Sequence, residues 1–240
     1  MNKFNKEIVI RITLITLGSI LVVFLLGKLF WYQHVKAYSM TINEQGLEIL
    51  NAYEFPTYLI EEDNCMRPYD IGDGVITFGP GITYQTEQDG INDINERFNT
   101  KYTLKNNCID LDILNELQLE IMGAYEAVVN DIAIKKFHHF TQDQFNALVL
   151  MSYNSPALFE EEEFVEAILD DSTTQAQYIE AANNYYKQLN AYYDNPNTEE
   201  KNDGFGEGWY NRILDSSEVY FGLDYEFQNN DITKNKKTKS

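Results

Sequence analysis

The sequence predicts an α+β fold, mostly helical with one small antiparallel β-hairpin sheet, preceded by one transmembrane helix. Three observations carry that reading. A nearly continuous run of Ile, Leu, Val and Phe fills residues 8–32. Apolar positions recur at helical spacing in several later stretches. Between them, Gly72, Gly74, Gly79 and Gly81 punctuate a single short β pattern, Val75-Ile76-Thr77-Phe78.

The apolar run comes first. Its 25 residues, at ~1.5 Å each, cover the ~30 Å of a hydrocarbon core. Arg11 and Lys28 can snorkel from its ends, and Trp31 and Tyr32 sit where an interfacial aromatic belt lies. Lys3, Lys6 and Arg11 precede the span while Lys28 and Lys36 follow it, a bias toward an N-terminus inside. The expected organisation is a cytoplasmic segment 1–7, a span 8–32, a short stalk 33–40, one globular domain 41–222 outside the cell membrane, and a disordered tail 223–240 without apolar period. A cleaved signal peptide ending at Ala37-Tyr38-Ser39 competes with this, but the apolar segment exceeds a usual h-region and cleavage would fall well beyond it. A span able to leave the bilayer would be rich in Gly and Ala. This one has no Ala and two Gly, and escape would expose Leu, Ile and Val side chains at ~1.5–3 kcal/mol each.

An amphipathic stretch follows, Asn43 to Glu54. Leu47, Leu50 and Glu54 fall at i, i+3 and i+7, so the carboxyl shares the face the helix buries. Downstream, the glycine-punctuated hairpin carries Asp70, Asp73 and Thr77 into tight turns. A half-buried carboxylic acid facing further carboxylates is what glycosidic bond hydrolysis requires: one acid kept protonated, one ionised group across the cleft. A helix end with a surface Glu beside an ordinary hairpin is the plain alternative.

The remaining elements are helical. Leu114, Leu117, Ile121, Tyr125, Val128 and Ile132 give a long central helix. Thr141 with Gln144 forms a capping-box signature ahead of Phe145, Leu148 and Val149. Glu160 to Glu163 reads as a helix N-terminus using the macrodipole, and Tyr178, Ala182, Tyr185 and Leu189 mark another helix. Asn190 to Gly208 is polar and reads as a loop before the last helix.

The order of these motifs resembles the phage-type lysozymes, glycoside hydrolase family 24, the T-even and lambdoid endolysin-like muramidases. In that family a short helix ends in the catalytic Glu and a hairpin reads approximately Tyr-x-Asp-x-x-Gly-x-x-Thr-x-Gly-x-Gly. Tyr69, Asp70, Gly74, Thr77, Gly79 and Gly81 match it in order. Tyr125 to Ile132, Phe140 to Asn154 and Gly206 to Phe221, with Arg212 and Glu218, resemble its later helices. The resemblance spans roughly residues 41–222. It implies a lysozyme-like fold and a muramidase whose substrate is peptidoglycan. Glu54 would be the acid, Asp70 the second carboxylate and Thr77 a residue orienting water. No cofactor and no metal are implied. The chain departs from the pattern in four places: Phe55 follows Glu54 where Gly is usual, Ile60 to Arg67 looks inserted, Ile71 occupies the expected Asp slot, and Ile82 replaces a His. Asp70 and Asp73 both stay open as the second carboxylate.

Charge bounds the partners. The first 36 residues carry five basic and one acidic side chain, leaving 13 basic and 37 acidic in the remaining 204, a net of −24. Such a domain is repelled by nucleic acid and by polyanionic walls, so tethering to the bacterial membrane supplies the local concentration that attraction would not. Cys65 and Cys108 are the two cysteines, and an exported domain permits but does not require their pairing. A Cys108 peptidase using His138 or His139 lacks a flanking signature. A lytic transglycosylase and a non-catalytic wall-binding component of an envelope-spanning machine remain the alternative functions.

Overall fold

The computed structural model describes residues 3–54, 59–61, 63–70, 74–193 and 203–223, without side chains at 3–18, 189–193 and 203–208. It is mostly helical with small antiparallel β pairs. Two compact units are present, one formed by Met1–Ser39 with Asn130–His139, the other by Met40–Val129 with Phe140–Ser240.

In the first unit, α1 (Lys3–Tyr38) is a single helix of 36 residues, ~54 Å long at ~1.5 Å per residue. Its segment Ser19–Tyr38, mean hydropathy 1.3, is long and apolar enough to cross a membrane. The stretch expected as a stalk, 33–40, continues this helix as far as Tyr38. A local reason is visible at His34, which is buried and donates from Nε2 to the Ile134 carbonyl at 2.8 Å.

The second unit begins with α2 (Glu44–Glu54), whose first turn is capped by Asn43: the Gly46 N–H donates to Asn43 Oδ1 at 3.0 Å. Its buried residues are Gly46, Ile49 and Leu50, with Leu47 only half-buried. The buried face is therefore rotated toward Gly46 from the one the Leu spacing predicts, because α2 packs closely on α5 (Gln142–Asn154). A Cβ on Gly46 would lie 2.7 Å from Asn146 Cγ and 2.5 Å from Ile42 Cγ1. Asn146 in turn donates to Asn43 Oδ1 at 2.7 Å.

The expected antiparallel hairpin is β2 (Ile76–Phe78) with β3 (Ile82–Tyr84), in register Ile76↔Tyr84, Thr77↔Thr83 and Phe78↔Ile82. A second pair, β1 (Cys65–Met66) with β4 (Ile109–Asp110), was not expected. It uses the segment read as an insertion, and Cys65 and Cys108 form a disulfide with Cα atoms 5.4 Å apart across 43 residues of sequence. In the chain-entropy account a loop of that length stabilises by about 4 kcal/mol. Both pairs share a core of Met66, Phe78, Ile82, Ile91, Ile94, Ile109, Leu114 and Leu117. This core joins α3 (Glu87–Phe98) to the first turns of α4 (Leu111–Lys136).

The long helix predicted around Leu114 to Ile132 is thus α4, but the helix buried on all sides is α5. Every residue from Phe145 to Ser152 is buried, and α5 packs against α2, a 3₁₀ turn (Pro156–Glu160) and α8 (Asp203–Tyr220). The Thr141–Gln144 capping box is formed in both directions. Helix α6 (Glu162–Leu169) opens with Glu162 and Glu163 in its first turn. Helices α7 (Gln175–Tyr193) and α8 run into the polar stretch read as a loop from both sides. The tail from 224 lies outside the described residues.

We expect Gly46→Ala to destabilise the domain. Overpacking costs ~1–3 kcal/mol, whereas replacing a helical Gly by Ala returns at most ~1 kcal/mol. Denaturant titration checks this, and an unchanged or raised midpoint refutes the close-contact account.

Candidate functional site

Glu54 is the last residue of α2, and its side chain retains only 14% of its exposure. Two features hold it. From α8, Arg212 Nη1 donates to Glu54 Oε1 at 2.5 Å, linking residues 158 positions apart. The same guanidinium lies over the Tyr53 ring, 5.3 Å from its centroid. From the hairpin, the backbone at Gly81 approaches the other carboxyl oxygen: a Cβ there would sit 3.1 Å from both Glu54 Oε2 and the Tyr153 hydroxyl. Gly81 has φ +83°, a conformation that a side chain would strain as well as crowd.

The hairpin turn is pinned by two tyrosines. Tyr153, on α5, donates to the Pro80 carbonyl at 2.7 Å, and Tyr69 donates to the Gly79 carbonyl at 3.1 Å. Burial, reinforced by the Glu54 charge, pushes the Tyr153 hydroxyl far above its ordinary pKa, so it remains a proton donor to Pro80. The Tyr125 ring packs 4.9 Å from that of Tyr153. A small crevice beside the pair is lined by Leu50, Tyr53, Leu150, Met151, Asn154, Arg212 and Ser216.

The other expected site residues are on the same hairpin. Thr77 is buried and lies on β2, within the short β pattern of residues 75–78 that the sequence predicts; its N–H donates to the Tyr69 carbonyl at 2.7 Å, and Tyr69 N–H returns the bond at 2.9 Å. Strand alternation turns Phe78 into the core and Thr77 to the opposite face. Asp70 follows the Tyr69–Thr77 bridge and is exposed. Asp73 lies outside the described residues. Cys108 is consumed by the disulfide, which removes the thiolate that a Cys–His reading would need.

Sequence reasoning singled out Glu54 as a candidate but gave no role to Arg212 or Tyr153. Arg212 was visible only as a matched position on the closing helix. Tyr153 is one of seventeen tyrosines and carries no motif of its own, so the sequence offered no signal for it. No protein-family model, no curated protein and no solved structure matches this chain.

Two substitutions test this geometry without any assumption about activity. Arg212→Leu removes the cation facing a mostly buried carboxyl and should cost ~1–3 kcal/mol. Tyr153→Phe deletes one hydrogen bond and should cost ~1 kcal/mol, with faster amide exchange confined to the Gly79–Gly81 turn. Unchanged turn exchange in Tyr153→Phe would show that the hydroxyl does not hold the hairpin.

Proposed function

We propose that this chain is a membrane-anchored peptidoglycan hydrolase, a muramidase of lysozyme-like fold that cleaves the β-1,4 bond between N-acetylmuramic acid and N-acetylglucosamine. The observation that carries the reading is the convergence of three distant motif segments on one carboxyl. The end of α2, the Gly79–Gly81 turn and Arg212 of the closing helix meet at Glu54. An ordinary helix end with a solvated Glu predicts no such meeting. The apolar helix α1, with its span-length segment Ser19–Tyr38, supports the anchored placement.

In this reading Glu54 donates a proton to the leaving glycosidic oxygen. Its ion pair with Arg212 holds the carboxyl in place in the resting protein. To act as the acid, Glu54 must first take up a proton from solvent and release its ion pair with Arg212, and it then transfers that proton to the glycosidic oxygen as the C–O bond breaks. Asp70, exposed at the other end of the Tyr69–Thr77 bridge, would position water or stabilise the oxocarbenium-like transition state, with Thr77 orienting that water. Peptidoglycan fits the charge pattern only because the enzyme is tethered: a free domain this acidic would be repelled by a polyanionic wall.

A second reading, a lytic transglycosylase on the same bond, is favoured by one observation: Asp70 sits one residue out of the family's slot and is exposed to solvent. Such an enzyme needs the acid and no second carboxylate.

Glu54→Gln should abolish digestion of purified wall while leaving the unfolding midpoint within ~1 kcal/mol, because the amide is nearly isosteric and cannot transfer the proton. Wall clearance at a near wild-type rate would sink the glycosidase reading. Asp70→Ala separates the two mechanisms. The hydrolase loses ~100-fold or more in rate and yields reducing ends, whereas the transglycosylase is little affected and yields 1,6-anhydro ends. Mass analysis of the released muropeptides reads both outcomes.

A further inference from the structure

The chain is strongly acidic, yet two segments of the first unit carry a local basic excess. Residues 28–39 carry Lys28 and Lys36, and residues 130–139 carry Lys135 and Lys136 against Asp131 alone, which forms an exposed ion pair with Lys135 at 2.6 Å, the weak kind that a headgroup phosphate can replace. These 22 residues hold four basic and one acidic side chain, a net of +3, so the rest of the chain holds −23 of the total −20. The two segments are bolted together. His34 donates to Ile134 O at 2.8 Å, and its ring lies 4.3 Å from that of Phe137 and 4.7 Å from that of Tyr38. Tyr38 stacks on His139 at 4.0 Å. The end of α4 is thereby fixed beside the last turns of the apolar helix. Beside that joint, large aromatic side chains remain open to solvent: Trp31 is 56% exposed, Tyr32 62% and Phe137 59%.

An exposed Phe next to paired lysines, continuous with the aromatic end of a membrane-length helix, is the composition of a headgroup contact. Aromatic rings partition to the interface, and lysine stems lie along apolar surface while their ammonium groups reach anionic phosphates. We propose that the turn Lys135–His139 is a second membrane contact, seating Phe137 at the glycerol level and Lys135 and Lys136 on anionic lipid headgroups. The contact rests on α1 being a membrane span and is independent of the glycosidase reading. It makes docking of this turn dependent on lipid charge, each lysine favouring the seated state by about fivefold near an anionic surface.

The experiment uses the full chain in vesicles of phosphatidylcholine alone or mixed with phosphatidylglycerol, with bromine placed high on the acyl chains. The indole of Phe137→Trp, in a Trp31→Phe/Trp209→Phe background, reports contact. Strong quenching in the anionic vesicles, weakened in phosphatidylcholine alone and by Lys135→Gln/Lys136→Gln, is the expected result. Amide exchange on the unsubstituted chain should show residues 136–139 protected only in the anionic vesicles, which keeps the test sound if the reporter variant misfolds. No quenching with no protection overturns the proposal, and equal signals in both lipids overturn its anionic specificity. Alkaline carbonate extraction separates the causes: a chain that washes off shows that α1 is not a span. A chain that stays inserted while the turn remains unquenched and unprotected refutes this contact alone.

Discussion

The burial of α5 on all sides is the constraint from which the geometry around Glu54 follows. A helix with eight consecutive buried residues, Phe145 to Ser152, has no solvent face, so neighbours must cover its whole circumference. Helix α2 covers one side, and can approach only because Gly46 offers no side chain to Asn146. Helix α8 covers another, where Ser216 donates to the Ala147 carbonyl at 3.1 Å and shares a hydrogen bond with the Tyr178 hydroxyl at 2.9 Å. With α2 and α8 laid on the same helix, Glu54 and Arg212 arrive within hydrogen-bond reach. The hairpin is tied in by Tyr153 at the end of α5. The site is a by-product of packing around one apolar rod.

What could be read from the sequence was whatever depends on neighbours close in the chain. The Thr141–Gln144 cap, the turn at Gly79–Gly81 and the placement of Glu54 at a helix terminus are local, and the structure has them. The features that eluded the sequence depend on partners far away. The face of α2 follows Asn146, not the Leu47 spacing. The β1–β4 pair follows a disulfide that spacing alone left undecided. Helix α1 continues through the expected stalk, where His34 finds Ile134. The roles of Arg212 and Tyr153 exist only once α8 and α5 are in place, because an arginine or a tyrosine carries no periodic signal of its own.

The two ends of the Glu54 carboxyl are held by different kinds of group, and this divides their tolerance to change. Arg212 is a long, flexible side chain that can change rotamer. The Gly81 backbone is fixed by its positive φ and by the hydrogen bonds at Pro80 and Gly79. One side of the carboxyl is therefore held by a compliant group and the other by a stiff one.

The Cys65–Cys108 link adds a condition of time and place to this architecture. It straps the chain between Glu54 and the hairpin to the lead-in of α4, and Arg67 reinforces the strap with hydrogen bonds to Glu61 and Asn107. A reducing cytosol withholds that link, and an oxidising exterior supplies it. A copy of the chain held in reducing surroundings carries its carboxyl and its arginine but lacks the covalent link between Cys65 and Cys108. Completion of this strap therefore follows the redox state of the compartment that holds the domain.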